Sequence, residues 1–348
     1  MTKEALCRFF AGLSRAEDRL KICKTMLRIG LFSFSCIFLL LAGASTASAY
    51  SPLPALNSLE QADLVTGDFN GDGLDDLAGL TAAGQIFFTT DLATWEQVPG
   101  FLNKLVVGDF DINGRDDLAG LTADGKVFYT LDLFNWVEIP GVFLDELVTG
   151  DLNDDGYEDL AGLSSNGLIF YTVNFVTWAQ LPGVLDHLLV GDFNADGLDD
   201  LAGLTSNGQI YYTVDFINWQ LIPGRLDDLV VGEFNNDGFD DLAGLTSDGQ
   251  VYFTIDFLNW QLIPGRLDEL IAGDFDGDGL DELAGLVNQQ IYLSLNFLDW
   301  INVPGILQDL IVGDFNNDGF DDFAGRTVNR FIYYSVILGT WINIPGVL

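Results

Sequence analysis

An all-β fold, a seven-bladed β-propeller with four antiparallel strands per blade, is what the sequence predicts. Three observations carry that expectation. The phrase Asp68 to Leu80, DFNGDGLDDLAGL, returns six more times, starting at Asp109, Asp151, Asp192, Glu233, Asp274 and Asp314, with spacings of 41, 42, 41, 41, 41 and 40 residues. Each unit holds four short apolar runs separated by turn signals, and no segment has a helical period. The units fill residues 64–348 almost completely, and seven lies inside the range of about four to eight blades that close a ring.

The elements follow in order within every unit. A first run ends in glycine and enters an acidic loop, as in LVVGDF from Leu105. The second run is DLAGLT, followed by a turn such as Ala82-Ala83-Gly84, Ala123-Asp124-Gly125 or Ser206-Asn207-Gly208. The third is aromatic, QIFFTTD from Gln85 or QIYYTVD from Gln209, and is apolar on both faces, with Ile210 and Tyr212 one way and Tyr211 the other. Such a strand is expected to be covered on both sides by neighbouring blades. The fourth run opens at a tryptophan and closes at Pro-Gly, as in WEQVPG from Trp95 and WQLIPG from Trp219. A period near 41 residues is too long for one coil of a β-helix. Closure is expected by direct contact of the last blade with the first, because the four strands of each unit are contiguous; an edge strand from residues 50–59 is the alternative.

The seven tryptophans, Trp95, Trp136, Trp178, Trp219, Trp260, Trp300 and Trp341, occur one per unit. Their repetition is expected of a packing element; stacking on sugar rings is the other reading. Ahead of each comes T-x-D-[FL]-x-x-W or a variant, as in Thr213, Asp215 and Trp219, which resembles a shortened Asp-box turn. Ile337 replaces the acid in the last unit.

The acidic loop is shaped for a hard cation. Oxygen-bearing side chains fall at its first, third, fifth and ninth positions, with glycine always at the sixth. The first positions are Asp68, Asp109, Asp151, Asp192, Glu233, Asp274 and Asp314. The third are Asn70, Asp111, Asn153, Asn194, Asn235, Asp276 and Asn316. The fifth are Asp72, Asn113, Asp155, Asp196, Asp237, Asp278 and Asp318. The ninth are Asp76, Asp117, Asp159, Asp200, Asp241, Glu282 and Asp322. Calcium takes about six to eight oxygens at ~2.3–2.6 Å, and alternate residues of a tight loop can point inward together. Up to seven Ca2+ sites are therefore expected, with the variable seventh residue offering its backbone carbonyl. An EF-hand is not expected, because the twelfth residue is glycine (Gly79) and the flanks read as strands. Solvated Asx-rich turns without metal are the plainer alternative. Glu233 and Glu282 predict altered geometry in loops five and six, and Arg115 predicts weaker calcium in loop two than in loop four.

Charge and cysteine usage agree with a calcium-stapled extracellular chain. There are 14 Lys and Arg against 52 Asp and Glu, a net charge of −38, which disfavours a nucleic-acid partner. Thirty of the acids lie in the seven nine-residue loops, where cations would neutralise them. Residues 1–49 read as a signal peptide with an N-terminal extension: Arg28, an apolar run, then Ala47-Ser48-Ala49, with cleavage expected after Ala49 and translation expected to start at Met26. The apolar run is short for an uncleaved span, and the residues before Cys36 make a poor lipoprotein signal. All three cysteines lie at or before Cys36, so the mature chain has no disulfide and calcium is a sufficient staple. Residues 50–63 form a lead-in, and 64–348 the propeller. A secreted, extracellular or cell-surface location is expected, a periplasmic one being the alternative, with no stable membrane span and a monomeric state.

The loop followed by DLAGL resembles the FG-GAP and VCBS-type repeats of integrin alpha-chain propellers and bacterial secreted proteins, over residues 64–348. That resemblance implies calcium in the hairpin loop between the first two strands of a blade. The chain lacks the literal Phe-Gly and Gly-Ala-Pro signatures, so it is similar to the VCBS side, and integrin-type ligand binding does not carry over. The architecture is also similar to some fungal seven-bladed lectins, and the W-x-x-[VIL]-P-G-x-L phrase faintly to tectonin repeats.

An enzyme needs a unique constellation, which near-identical repeats do not supply. No nucleophile elbow, HExxH or phosphate-cradling loop is present, and no catalytic residue is assigned. The only histidine, His187, stands where other units have Asp and reads as a surface variant. Arg225, Arg266, Arg326 and Arg330 are expected to pair with nearby acids. A non-catalytic protein-binding, scaffold or adhesion module is the expected function; a multivalent lectin for a glycan ligand is the alternative, and a polysaccharide-degrading enzyme is the third.

Overall fold

The computed structural model describes residues 64–336, 338–346 and 348. The expected signal peptide, the expected start at Met26, the lead-in with its alternative edge strand, and the replacement at Ile337 lie outside the described residues. Seven four-stranded antiparallel sheets follow one another, each in simple order from first to fourth strand. In blade one these are β1 (Leu64–Gly67), β2 (Asp76–Leu80), β3 (Gln85–Thr89) and β4 (Glu96–Phe101). The seven-bladed expectation holds strand for strand. No helix among the described residues is long and apolar enough to cross a membrane.

First strands of successive blades are neighbours around the ring, and β1 neighbours the first strand of blade seven (Ile311–Gly313). They therefore surround the axis, and the fourth strands form the outer wall. Apolar side chains of each blade pack against those of the next: Leu80, Ile86 and Val98 of blade one share a core with Leu105 and Leu118 of blade two. The seventh such core joins the ends of the ring, setting Phe315, Ile332 and Ile344 against Leu64 and Leu77. Among the described residues, closure thus involves no exchanged strand. The interface is reinforced by the Asp75 N–H donating to the Asp314 carbonyl at 3.0 Å and by Arg330 Nη2 donating to the Leu80 carbonyl at 3.2 Å.

The strand buried on both faces is the second, not the third. Every residue of β2 is buried, as is every residue of its equivalents Asp117–Leu121, Asp159–Leu163, Asp200–Leu204 and Asp241–Leu245. Third strands such as Ile210–Thr213 bury only their ends and leave Tyr211 and Tyr212 half-buried. They lie farther from the axis, where flat blades splay apart and admit water along one edge.

Tryptophan has the packing role expected of it. Each indole lies against the Pro-Gly turn of the preceding blade: Trp260 Nε1 donates to the Pro223 carbonyl at 2.7 Å, and a Cβ on Gly224 would meet that nitrogen at 2.9 Å. The same contact closes the ring, with Trp95 against Gly346. The Asp-box-like turn is built by the side-chain oxygen of its Asp, or of Asn174 and Asn296 in blades three and six. Asp215 Oδ1 accepts the N–H groups of Ile217 at 2.9 Å and Asn218 at 2.7 Å, and the Thr213 hydroxyl at 3.2 Å.

Candidate cation loops

Antiparallel order places the acidic loops and the Asp-box-like turns on one face of the disc, since first and third strands run toward the same side. The contact of Phe193 in loop four with Phe257 in the turn of blade five, 5.7 Å between centroids, is one consequence. Each loop is pinned at its base by strand pairing: Gly67 opposes Asp76, Gly191 opposes Asp200, and Gly313 opposes Asp322. The ninth acid therefore begins the second strand and is carried into the interior.

The four expected positions form a gradient of depth. First-position acids are half-buried, the fifth residues are exposed at the rim, and the ninth acids are buried. Asp68 accepts the Gly71 N–H at 2.6 Å and the Gly73 N–H at 2.7 Å, drawing the backbone around its carboxylate. Glu233 keeps this role despite its extra methylene, accepting Asn236 N–H at 2.7 Å and Gly238 N–H at 2.6 Å. At the third position Asn70 Nδ2 donates to Asp76 Oδ2 at 3.1 Å, and Asn153, Asn194, Asn235 and Asn316 do the same in their loops. The fifth-position Asp72 accepts the Leu74 N–H at 3.0 Å. Loops two and six carry Asp at the third position instead, and there carboxylate oxygens of Asp109, Asp111 and Asp117, and of Asp274, Asp276 and Glu282, lie within 4.8 Å of one another.

Electrostatics in the loops favour a positive charge. Burial, reinforced by the other loop carboxylates, pushes Asp76, Asp117, Asp159, Asp200, Asp241 and Asp322 up to about 7 and Glu282 up to about 9. In loop three the need is explicit. Asp159 is only 1% exposed and its Oδ2 accepts Leu152 N–H and Asn153 Nδ2, while its buried Oδ1 has no hydrogen-bond partner. An unpaired buried carboxylate oxygen is costly and is what a cation would satisfy. The donors are all hard oxygens with at most a side-chain amide among them, so the residues present fit calcium or another hard divalent ion.

A further position, the eighth, which spacing within one loop does not reveal, is acidic in every loop: Asp75, Asp116, Glu158, Asp199, Asp240, Asp281 and Asp321. These acids tie blade to blade. Asp116 Oδ2 accepts the Asp68 N–H at 2.8 Å while its own N–H donates to the Asp68 carbonyl at 2.9 Å. Asp199, Asp240, Asp281, Asp321 and Asp75 repeat the pair of bonds, the last across the closure. The glycine ending each first strand makes room for them, since a Cβ on Gly67 would lie 2.7 Å from Asp116 Oδ2.

Outside the loops, His187 is not a surface variant. It is half-buried, and its Nδ1 lies 2.7 Å from Glu146 Oε1, joining the first strands of blades three and four. Burial opposes its charge, but the hydrogen bond and charge of Glu146, aided by Asp228, outweigh it and raise the pKa. Two of the arginines pair with acids as expected, Arg326 with Asp309 and Arg266 with Asp248 at 2.7 Å, whereas Arg225 and Arg330 differ from that expectation in donating to the backbone carbonyls of Asn207 and Leu80.

No family model matches the chain, and no curated protein matches it by sequence. Among solved structures the chain is similar to BBS1N, crystallised in complex with ARL6DN, with a TM-score of 0.58 at 12% identity over 78% of this chain and 90% of that one. It is similar to a streptogramin B lyase, with a TM-score of 0.53 at 14% identity over 82% and 94%. The virginiamycin B lyase of Staphylococcus aureus gives 0.53 at 13% identity over 81% and 94%. At these identities the likeness shows the fold alone: the chain is a β-propeller.

Proposed function

We propose that this chain is a secreted, calcium-stabilised propeller of the FG-GAP/VCBS type that acts as a non-catalytic protein-binding or adhesion module. The observation that carries the calcium reading is the buried, unpartnered Oδ1 of Asp159 at the base of an all-oxygen loop. Repetition supports the non-catalytic part. The same acids recur in all seven loops, and the one histidine is committed to Glu146. That BBS1N binds ARL6DN gives a protein-binding precedent on this fold, and the lyases give an enzymatic one.

A glycan ligand is the second reading, and the placement of the indoles weighs against it. The Nε1 atoms of Trp95, Trp136, Trp178, Trp219 and Trp300 are buried, and Trp260 and Trp341 donate theirs to proline carbonyls. Screening the chain on a broad glycan array, with calcium and again with chelator, separates the readings. The protein-binding reading predicts a blank array from folded protein; a coherent calcium-dependent glycan set would overturn it.

A further inference from the structure

We propose that the loop face docks a cationic, amphipathic polypeptide segment, held by an arc of exposed apolar side chains outside the acidic loops. The inference rests on the protein-binding reading and names the surface and the partner's chemistry. The arc consists of Phe134, Val176, Ile217, Leu258 and Leu298, at the tips of the Asp-box-like turns of five consecutive blades. They are 53%, 66%, 68%, 66% and 70% exposed.

The turn itself does not need these side chains. Its bond is made by their backbone N–H groups, which donate at 2.9–3.0 Å to Asp132, Asn174, Asp215, Asp256 and Asn296. Ala93 makes the same bond to Asp91 at 2.9 Å in blade one, so a methyl group suffices for the fold. Large apolar groups left in water at the same turn of five adjacent blades are more than the fold requires and offer anchors for a partner.

Charge identifies what the surface takes. Thirty acids lie in the loops of this face. Of the seven Lys and Arg beyond residue 63, Arg115 alone sits in a loop; Lys104, Lys126, Arg225, Arg266, Arg326 and Arg330 all lie at the opposite ends of the strands. Seven divalent ions would bring fourteen positive charges and still leave the face negative. An anionic lipid surface is repelled, whereas a segment alternating Lys or Arg with apolar residues satisfies both rings at once. The opposite face also exposes apolar groups, Phe101, Phe143, Val184 and Ile306, but intersperses them with the arginines and provides an internal control.

The test measures binding of a labelled amphipathic Lys/Leu peptide to the calcium-equilibrated chain by fluorescence anisotropy. Serine at all five arc positions (F134S, V176S, I217S, L258S, L298S) is compared with serine at Phe101, Phe143, Val184 and Ile306, each variant's fold being checked by circular dichroism. The arc set is expected to weaken binding by about tenfold or more, the scale of losing a few anchoring side chains, and the control set by less than about twofold. I217S alone, too small a change to unfold the ring, is expected to weaken it by about two- to fivefold. Equal losses from the two sets, or none from either, overturn the arc while leaving the protein-binding reading standing. So does arc-dependent binding to phosphatidylserine vesicles in calcium, which would make the partner a membrane. A coherent glycan-array hit, by contrast, removes the protein-binding reading itself.

Discussion

Three side chains show where single residues strain or tune the ring. The fourth loop residue always adopts a left-handed backbone, filled by Gly71 and Gly277 but also by Asp154, Ala195, Asn236 and Asn317. In loop two it is Ile112, with φ 54°, a conformation that a β-branched residue resists. Ile112→Asn is expected to raise stability by ~1 kcal/mol, read from urea unfolding. The same loop carries Arg115, so at limiting calcium the anomalous signal in crystals is expected to be weaker there than in loop four; equal occupancy would contradict this. Glu269 stands apart from the loops. Burial, with Asp309 and Asp228 nearby, pushes it up to about 8 against the Leu310 N–H and Arg326. Because the folded form holds its proton more tightly than the unfolded form, its contribution to stability is full below about 4.5 and is lost as pH rises through about 8. Glu269→Gln keeps the acceptor for Leu310 and is expected to add ~1–3 kcal/mol at pH 9 and nothing at pH 4, measured by denaturant titration at the two pH values.

At the scale of the element, the eighth-position acid explains how flat sheets become a ring. Asp116→Ala is expected to cost ~1–3 kcal/mol, since it strands the Asp68 N–H, whereas Asp116→Asn keeps the acceptor, removes a charge and is expected to be neutral or stabilising. Equal losses in the two variants would show that the charge, not the bond, matters. This device was hidden from the sequence for a physical reason. The first, third, fifth and ninth positions are read from spacing within one loop, but Asp116 finds its partner 48 residues away in the preceding blade. The invariance of the acid beside a seventh residue that varies freely was the available signal. Strand number, order and turn chemistry were legible because each blade is built from local hairpins with fixed period. Assignment of the doubly buried strand to the third run failed because aromatic content outweighed position: Tyr211 and Tyr212 are large enough to reach water, and the small, glycine-bearing DLAGL is what fits near the axis. The role of His187 is hidden in the same way, its Glu146 partner being in another blade.

Over the whole molecule, the cores between blades hold the ring and the loops load one face with negative charge. With no cysteine among the described residues, no disulfide constrains their unfolded chain. Cations bound only by the folded state would stabilise it by mass action instead. The measurement that tests this most directly is a calorimetric titration of calcium into the chelator-treated chain, paired with thermal unfolding before and after. Binding at several sites per chain, up to seven, with a rise in Tm that chelator reverses, is the predicted result. A folded chain that takes up no calcium and melts at the same temperature with and without it would contradict the account.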